Sequence, residues 1–203
     1  MGRPSNTSER RRAIVEAMLE LVATSGYEGA STKEIARVAG LAPGLVHYHF
    51  ESKQAILVAL FDRLVAEVDG RFSALSVHAG SDPRARLEAF LDAHLALGPG
   101  ANPRALAAWV AIGAEAQRNE EVRTLYETVT KARLETLREL FRAVLAAEGV
   151  DSRGARSMAA VTLSAIEGAF RLSASAPEAL PKGFAAPAVR NMARGLILAA
   201  RAK

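Results

Sequence analysis

Apolar residues recur at three- and four-residue spacing along nearly the whole 203-residue chain. No stretch alternates with the period of two expected of a half-buried strand, so the pattern predicts helices throughout. Ile14, Met18, Leu21 and Val22 form the stripe of a first helix that runs to about Thr24, with Ser8 as its N-cap and residues 1–8 as an arm before it. A glycine-bounded turn, Ser25 to Gly29, holds Tyr27 as a packing residue and leads to two short helices within 31–50. A long helix starts at Lys53 and carries Ile56, Leu57, Leu60, Phe61, Leu64, Val65, Val68 and Phe72 inward.

The punctuation after that is mostly Gly, Pro and Asn. Asp82-Pro83 and Asn102-Pro103 each place a capping side chain before a proline at the first helical position. They open helices holding Leu87, Phe90, Leu91, His94 and Leu95, then Trp109 and Ile112. Gly98-Pro99-Gly100-Ala101-Asn102-Pro103 is the strongest loop signal. Asn119 caps a seventh helix striped by Val122, Leu125, Tyr126, Val129, Leu137, Leu140, Phe141 and Val144. An eighth helix, about 152–174, is rich in Ala, Ser and Gly and apolar on more than one side. A last helix carries Val189, Met192, Ala193, Leu196, Ile197 and Ala200 inside and Arg190, Arg194 and Arg201 outside. The fold class is therefore all-α with about nine helices. A three-helix N-terminal unit spans 1–54, extending to about 68 with the start of helix four, and a larger helical body spans 55–203.

Within the first unit the local signals converge. Ser31-x-x-Glu34 has the form of a capping box, in which Ser31 takes the Glu34 amide and the Glu34 carboxylate reaches back to the Ser31 amide. Gly40 stands where a helix end wants a left-handed residue. Pro43 opens the next helix, LVHYHF follows, and Val46 and Phe50 share its inner face while His47, Tyr48 and His49 fan outward. Two short helices across a tight turn make a helix-turn-helix, whose second helix enters the major groove of DNA.

The run AGLAPGLVHYHFESKQAIL resembles the signature of the TetR family of transcriptional regulators, with agreement at Ile35, Ala36, Ala39, Gly40, Gly44, Tyr48, His49, Phe50, Ser52 and Lys53. The resemblance implies a dimeric regulator whose first domain binds double-stranded operator DNA and whose body binds a small-molecule effector. Carried onto this chain, the DNA-binding positions are Ser31, Thr32, Lys33, Pro43, Gly44, Leu45, His47, Tyr48, His49 and Lys53. Lys33 suits the guanine acceptors of a base edge, while Thr32, Tyr48 and Lys53 suit phosphate. Departures at Leu45 and His47 fall on the reading surface and, with Lys33, are expected to set base preference. The stretch WVAIGAEAQRNEEVRTLY is similar to the BetI-like branch, whose best-known members answer to choline.

Charge refines this picture only slightly. The net charge is +4, but residues 1–54 hold seven Lys/Arg and six Asp/Glu, leaving only +1 there. Placement therefore matters more than bulk charge, with Arg3 and Arg10 to Arg12 readable either as a minor-groove or phosphate arm or as a merely solvated basic N-terminus. Cysteine is absent, which removes disulfide and thiolate chemistry and fits a cytoplasmic protein. No apolar run reaches the roughly 18 residues of a membrane span. His47 and His49, two apart on a helix, do not face each other as metal ligands would. No catalytic set, Gly-rich phosphate loop, metal cluster or cofactor motif emerges, so no enzyme is expected.

In the body, Phe61, Phe90, His94, Trp109, Glu115, Tyr126, Glu167 and Phe170 are candidates for an effector pocket, each of the aromatics also fitting plain core. A cationic effector would suit Glu115 or Glu167 with Trp109 or Tyr126. The last two helices are the expected homodimer interface. The function expected is a ligand-responsive repressor released from its operator by a small molecule. The alternative is a helical adaptor or ligand-binding protein that binds no DNA.

Overall fold

The computed structural model describes residues 6–95 and 102–202. Arg3 and the loop Gly98-Pro99-Gly100-Ala101 lie outside the described residues. Among the described residues there are nine α-helices and no strand: α1 Asn6–Gly29, α2 Thr32–Ala39, α3 Pro43–His49, α4 Lys53–Ala79, α5 Pro83–His94, α6 Pro103–Glu115, α7 Glu120–Ala147, α8 Ala155–Ser175 and α9 Ala185–Arg201. Short 3-10 turns precede α8 and follow it. None of the described helices is long and apolar enough to cross a membrane.

The caps form as the sequence predicts. Asp82 accepts from the Arg84 amide at 3.0 Å, and Asn102 accepts from the amides of Arg104 and Ala105 at 3.1 and 3.2 Å. Asn119 accepts from those of Glu121 and Val122 at 3.1 and 3.2 Å. Helix one differs at both ends. It begins at Asn6, so residues 6–8 are helical rather than an arm, and it runs past Thr24 to a non-helical Gly26 with φ 72° and ψ 176°.

Two compact units emerge, and they do not follow a single cut in the chain. The first comprises residues 1–66 and 102–127, and the second residues 67–101 and 128–203. Helices α6 and the first two turns of α7 thus belong with the N-terminal helices, a grouping that a boundary near 54 does not anticipate. The physical reason is apolar. In α1, Ile14, Val15, Met18, Leu19 and Val22 are buried, and α6 supplies the most extensive packing against that helix, with Ala108, Trp109 and Ile112 buried. Helices α4 and α7 each run on from one unit into the other.

In the second unit α9 packs on α8 and on α5. Ala185, Val189, Ala193 and Ile197 form its buried stripe. Its arginines tie it down by ion pairs. Arg190 reaches both oxygens of Asp92 at 2.9 Å, and Arg194 reaches Glu88 at 2.6 Å. Arg201 and Arg84 share the carboxylate of Glu148. A groove of about 170 Å³ lies between α5 and α9, floored by Leu87, Leu91, Ala193 and Ile197.

Candidate nucleic-acid interface

The interface is built from α2, the turn after it and α3. Ser31 caps α2 by accepting the Glu34 amide at 3.2 Å, but the reciprocal half of the capping box does not form. The Glu34 carboxylate pairs instead with Arg37 at 2.8 Å, and the Ser31 amide donates to the carbonyl of Gly29 at 3.0 Å. A local i,i+3 ion pair is satisfied more easily than the backward reach to an amide that already has a partner. Gly40 adopts φ 67° and ψ 30°, as expected, and the Leu41 amide closes the helix on the carbonyl of Ala36 at 2.9 Å.

In α3 one expectation is corrected. His47 and Tyr48 face outward, Tyr48 with 78% of its surface exposed, but His49 is turned inward and 7% exposed. Val46 and His49 are three apart and share a face with Phe50, whereas Pro43, Gly44, His47 and Tyr48 form the outer one. The Tyr48 and His49 rings meet edge-on with centroids 5.1 Å apart. The Nε2 of His49 is buried and has no hydrogen-bond partner among the described residues. Leu45 and Thr32 are half-buried, while Ser31 and Lys33 are exposed. Nothing lies within 4 Å of where a Cβ on Gly44 would stand, so no neighbour in the fold requires glycine there and the backbone is open to an incoming surface.

Two contacts from α1 frame this element. The Arg11 guanidinium lies 4.1 Å from the centroid of Phe50 and donates to the carbonyl of His49, closing the C-terminal end of α3. Arg10 to Arg12 are part of helix α1 and not of an extended arm. At the start of α4, the ammonium of Lys53 sits over the Tyr27 ring at 3.9 Å. Tyr27 is buried, as its packing role predicts, and its hydroxyl donates to Gln54 at 3.2 Å. Burial first, and then the fields of Glu121, Glu28 and Glu115, hold its phenol above the ordinary tyrosine range.

The eight effector-pocket candidates divide between the units. Phe61, Trp109, Glu115 and Tyr126 belong to the first. Phe61 and Trp109 centroids are 5.7 Å apart, Trp109 and Tyr126 5.3 Å. Glu115 is 6% exposed and pairs with the exposed Arg118 at 3.1 Å. Phe90, His94, Glu167 and Phe170 belong to the second unit. His94 stacks on Phe90 at 3.9 Å, and Phe72 meets Phe90 edge-on at 5.3 Å. Burial pushes the imidazole down to about 3, the charges of Arg133 and Arg71 working the same way against a bond to the Phe90 carbonyl. His94 is therefore neutral, with Nδ1 donating to Phe90 at 2.9 Å and Nε2 buried without a partner among the described residues. Arg133, a buried cation 3.8 Å from Glu167, was missed by sequence reasoning. Its signal was a gap: the α7 stripe skips from Val129 to Leu137, and Arg133 stands midway at the same four-residue spacing.

A pair of short helices joined through a left-handed glycine, with His47 and Tyr48 on the outer face of the second, places the chain in the helix-turn-helix class. Residues 14–60 match the family model for bacterial regulatory proteins of the tetR family, and residues 83–198 match the C-terminal model of the BetI-type transcriptional repressors. The second match alone takes in more than half of the chain, which belongs to the tetR family with a BetI-type C-terminal part. Over 117 residues the chain is 38% identical to the HTH-type transcriptional regulator BetI of Rhizobium meliloti (strain 1021), the match covering 57% of this chain and 56% of that protein. The BetI of Agrobacterium fabrum is 35% identical over the same number of residues, covering 57% and 55%. The chain thus spans little more than half the length of the curated relatives it matches. Among solved structures, a transcriptional regulator from Saccharomonospora viridis in complex with choline is similar with a TM-score of 0.74 and 26% identity, covering 94% of this chain and 96% of that one. A TetR transcription regulator from Haloarcula marismortui shares the fold with a TM-score of 0.77 at 20% identity, covering 95% and 98%.

Proposed function

We propose that this chain is a cytoplasmic, dimeric transcriptional repressor that binds double-stranded operator DNA through α2 and α3 and leaves it when a small molecule binds. The observation that carries the reading is the outer face of α3. A tyrosine 78% exposed, next to an exposed imidazole and an open Gly44, keeps far more of its surface free than its edge-on contact with His49 uses. Lys33, exposed in the first turn of α2, is the base-edge candidate, and Ser31, Thr32, Pro43, Leu45, His49 and Lys53 complete the proposed contact set, His49 and Lys53 after some local release. The DNA-binding domain of this reading is 1–54 extended to about 68, and the effector and dimerisation domain is 55–203. No catalytic role is proposed for any residue.

Dimerisation through α8 and α9 is supported by exposed apolar residues on those helices, Val161, Leu172 and Leu198. Gly168 and Gly195 are open, leaving room for a partner's helix. Two copies are needed because one such helix reads few bases, whereas a dimer reads paired half-sites. Release then follows by population shift, provided the effector prefers the body conformation that mispositions the two reading helices.

The effector proposed is a small organic cation, in keeping with the choline bound by the Saccharomonospora viridis regulator. Buried Glu115 supplies the charge, and the faces of Trp109 and Tyr126 supply cation–π attraction. A thermal-shift panel in which acetate or neutral compounds stabilise the chain and choline does not would remove this part. The DNA part is tested by mobility shift with DNA from its own locus at low salt. Wild type is expected to bind with a steep salt dependence, and Tyr48→Ala to bind at least tenfold more weakly with an unchanged melting temperature. Absence of any wild-type shift would favour the adaptor reading instead.

A further inference from the structure

Helix α3 is seven residues long and ill equipped to hold its own position. Its N-cap is Ala42, which offers no side-chain hydrogen bond. So short a helix is not stable by its own propensity and depends on what packs against it. Its last carbonyls lack partners within the helix. One of them, at His49, is met by the Arg11 guanidinium from α1, thirty-eight residues earlier. The Cζ of the same group lies over the Phe50 ring, 4.1 Å from its centroid, at the residue where α3 ends with φ −140°. A cation at a helix C-terminus is also favoured by the aligned peptide dipoles.

We propose that Arg11 is a positioning residue of the DNA interface: it fixes the end and tilt of α3 through the His49 carbonyl and the Phe50 ring, and is not a phosphate contact. The proposal rests on the reading of α2 and α3 as the DNA-binding element. Lysine cannot replace it, because a single ammonium has no fork with which to reach the carbonyl and cover the ring at once. Arg10 and Arg12, on the same turns of α1, are left as the residues free to meet the backbone of DNA.

The test uses the full chain and two duplexes, one selected from random sequence by the wild type and one of unrelated sequence. Arg11→Ala and Arg11→Lys are both expected to lose at least tenfold in affinity for the selected duplex and less than twofold for the unrelated one. The slope of log affinity against log salt should stay at the wild-type value. A phosphate ligand behaves otherwise: its loss lowers the slope by about 0.9 and weakens both duplexes alike, and lysine restores binding. Either of those patterns, or full affinity in Arg11→Ala, overturns the proposal. A merely structural role would shrink the active fraction equally for both duplexes, and so leave their ratio unchanged. If Arg11→Ala does not fold, Arg11→Met keeps the apolar stem over Phe50, and amide exchange at His47 to Phe50 in the free protein reads the effect. A rise in exchange over the wild type that is larger there than in α2 supports the proposal, and an equal change in both helices overturns it. Should the wild type itself bind neither duplex, the reading of the interface fails, and the same exchange measurement still decides the role of Arg11.

Discussion

The ammonium of Lys53 lies 3.9 Å from the centre of the Tyr27 ring, so the first residue of α4 rests on the turn that ends α1. Tyr27→Phe keeps the ring face and loses only the bond to Gln54, with an expected cost of about 0.5–1.5 kcal/mol. Tyr27→Leu also loses the cation–π attraction, about 0.5–1 kcal/mol more at a half-exposed site. Urea unfolding of the two variants measures the difference. Equal stability of the phenylalanine and leucine variants would show that the ring face contributes nothing.

His94 predicts an acid-side instability. Its folded value of about 3 lies well below the ordinary histidine value, so the unfolded chain binds the extra proton first. The stabilising share is present above about pH 6.5 and is lost as pH falls from there toward 3, at no more than about 1.4 kcal/mol per pH unit. Between pH 6.5 and 4.5, before most carboxylates titrate, melting temperature should fall more steeply for wild type than for His94→Gln. Parallel curves would contradict a neutral buried imidazole.

Two glycines respond in opposite directions to alanine. Gly40 has φ 67°, a region that costs an L residue about 1–2 kcal/mol, so Gly40→Ala should destabilise by that amount. Gly70 sits inside α4 with nothing within 4 Å of a Cβ, and Gly70→Ala should stabilise by about 0.5–1 kcal/mol. Thermal or urea unfolding tests both, and a destabilised Gly70→Ala would mean that α4 is not a regular helix there. Gly70 lies four residues past the point where α4 leaves the first unit, so the stiffer helix is also expected to weaken the response of DNA binding to an effector.

Glu148 joins the ends of α7 and α9 to the start of α5 by accepting from Arg84 and Arg201. Burial alone would raise its carboxyl, but the two arginines outweigh it and hold it below the usual glutamate range. Its contribution is therefore present above the ordinary glutamate value and lost as pH falls through the lower folded one. Glu148→Gln should cost about 1–2 kcal/mol at pH 7 and less near pH 3. An equal loss at both pH values would point to lost packing in place of lost charge.

Much of this architecture was legible in order along the chain. Asp82, Asn102 and Asn119 announced their helices because capping depends on residues two or three apart, and Gly40 announced the turn because only its backbone conformation fits there. His49 was misread because seven residues are too few for an apolar period to show which of three neighbouring rings turns inward; the i,i+3 relation to Val46 decides it. Arg11 gave no local sign of its role, nor Tyr27 of its pairing with Lys53, since the partners lie 38 and 26 residues away. The share of α6 in the N-terminal unit was hidden for the same reason. Apolar stripes say that a face is covered, but not by which helix, and α1 and α6 carry equally suitable ones.

The pairing of α1 with α6 bears on how the chain acquires its structure during synthesis. The part of the apolar surface of α1 that α6 covers has no partner until residues 103–115 have been made, although α2 and α3 pack on the helix earlier. A fragment ending in α4 would leave that surface of α1 without the cover that α6 gives it. A transplantable version would have to carry residues 102–127 with it, joined by a new linker in place of the excised second unit.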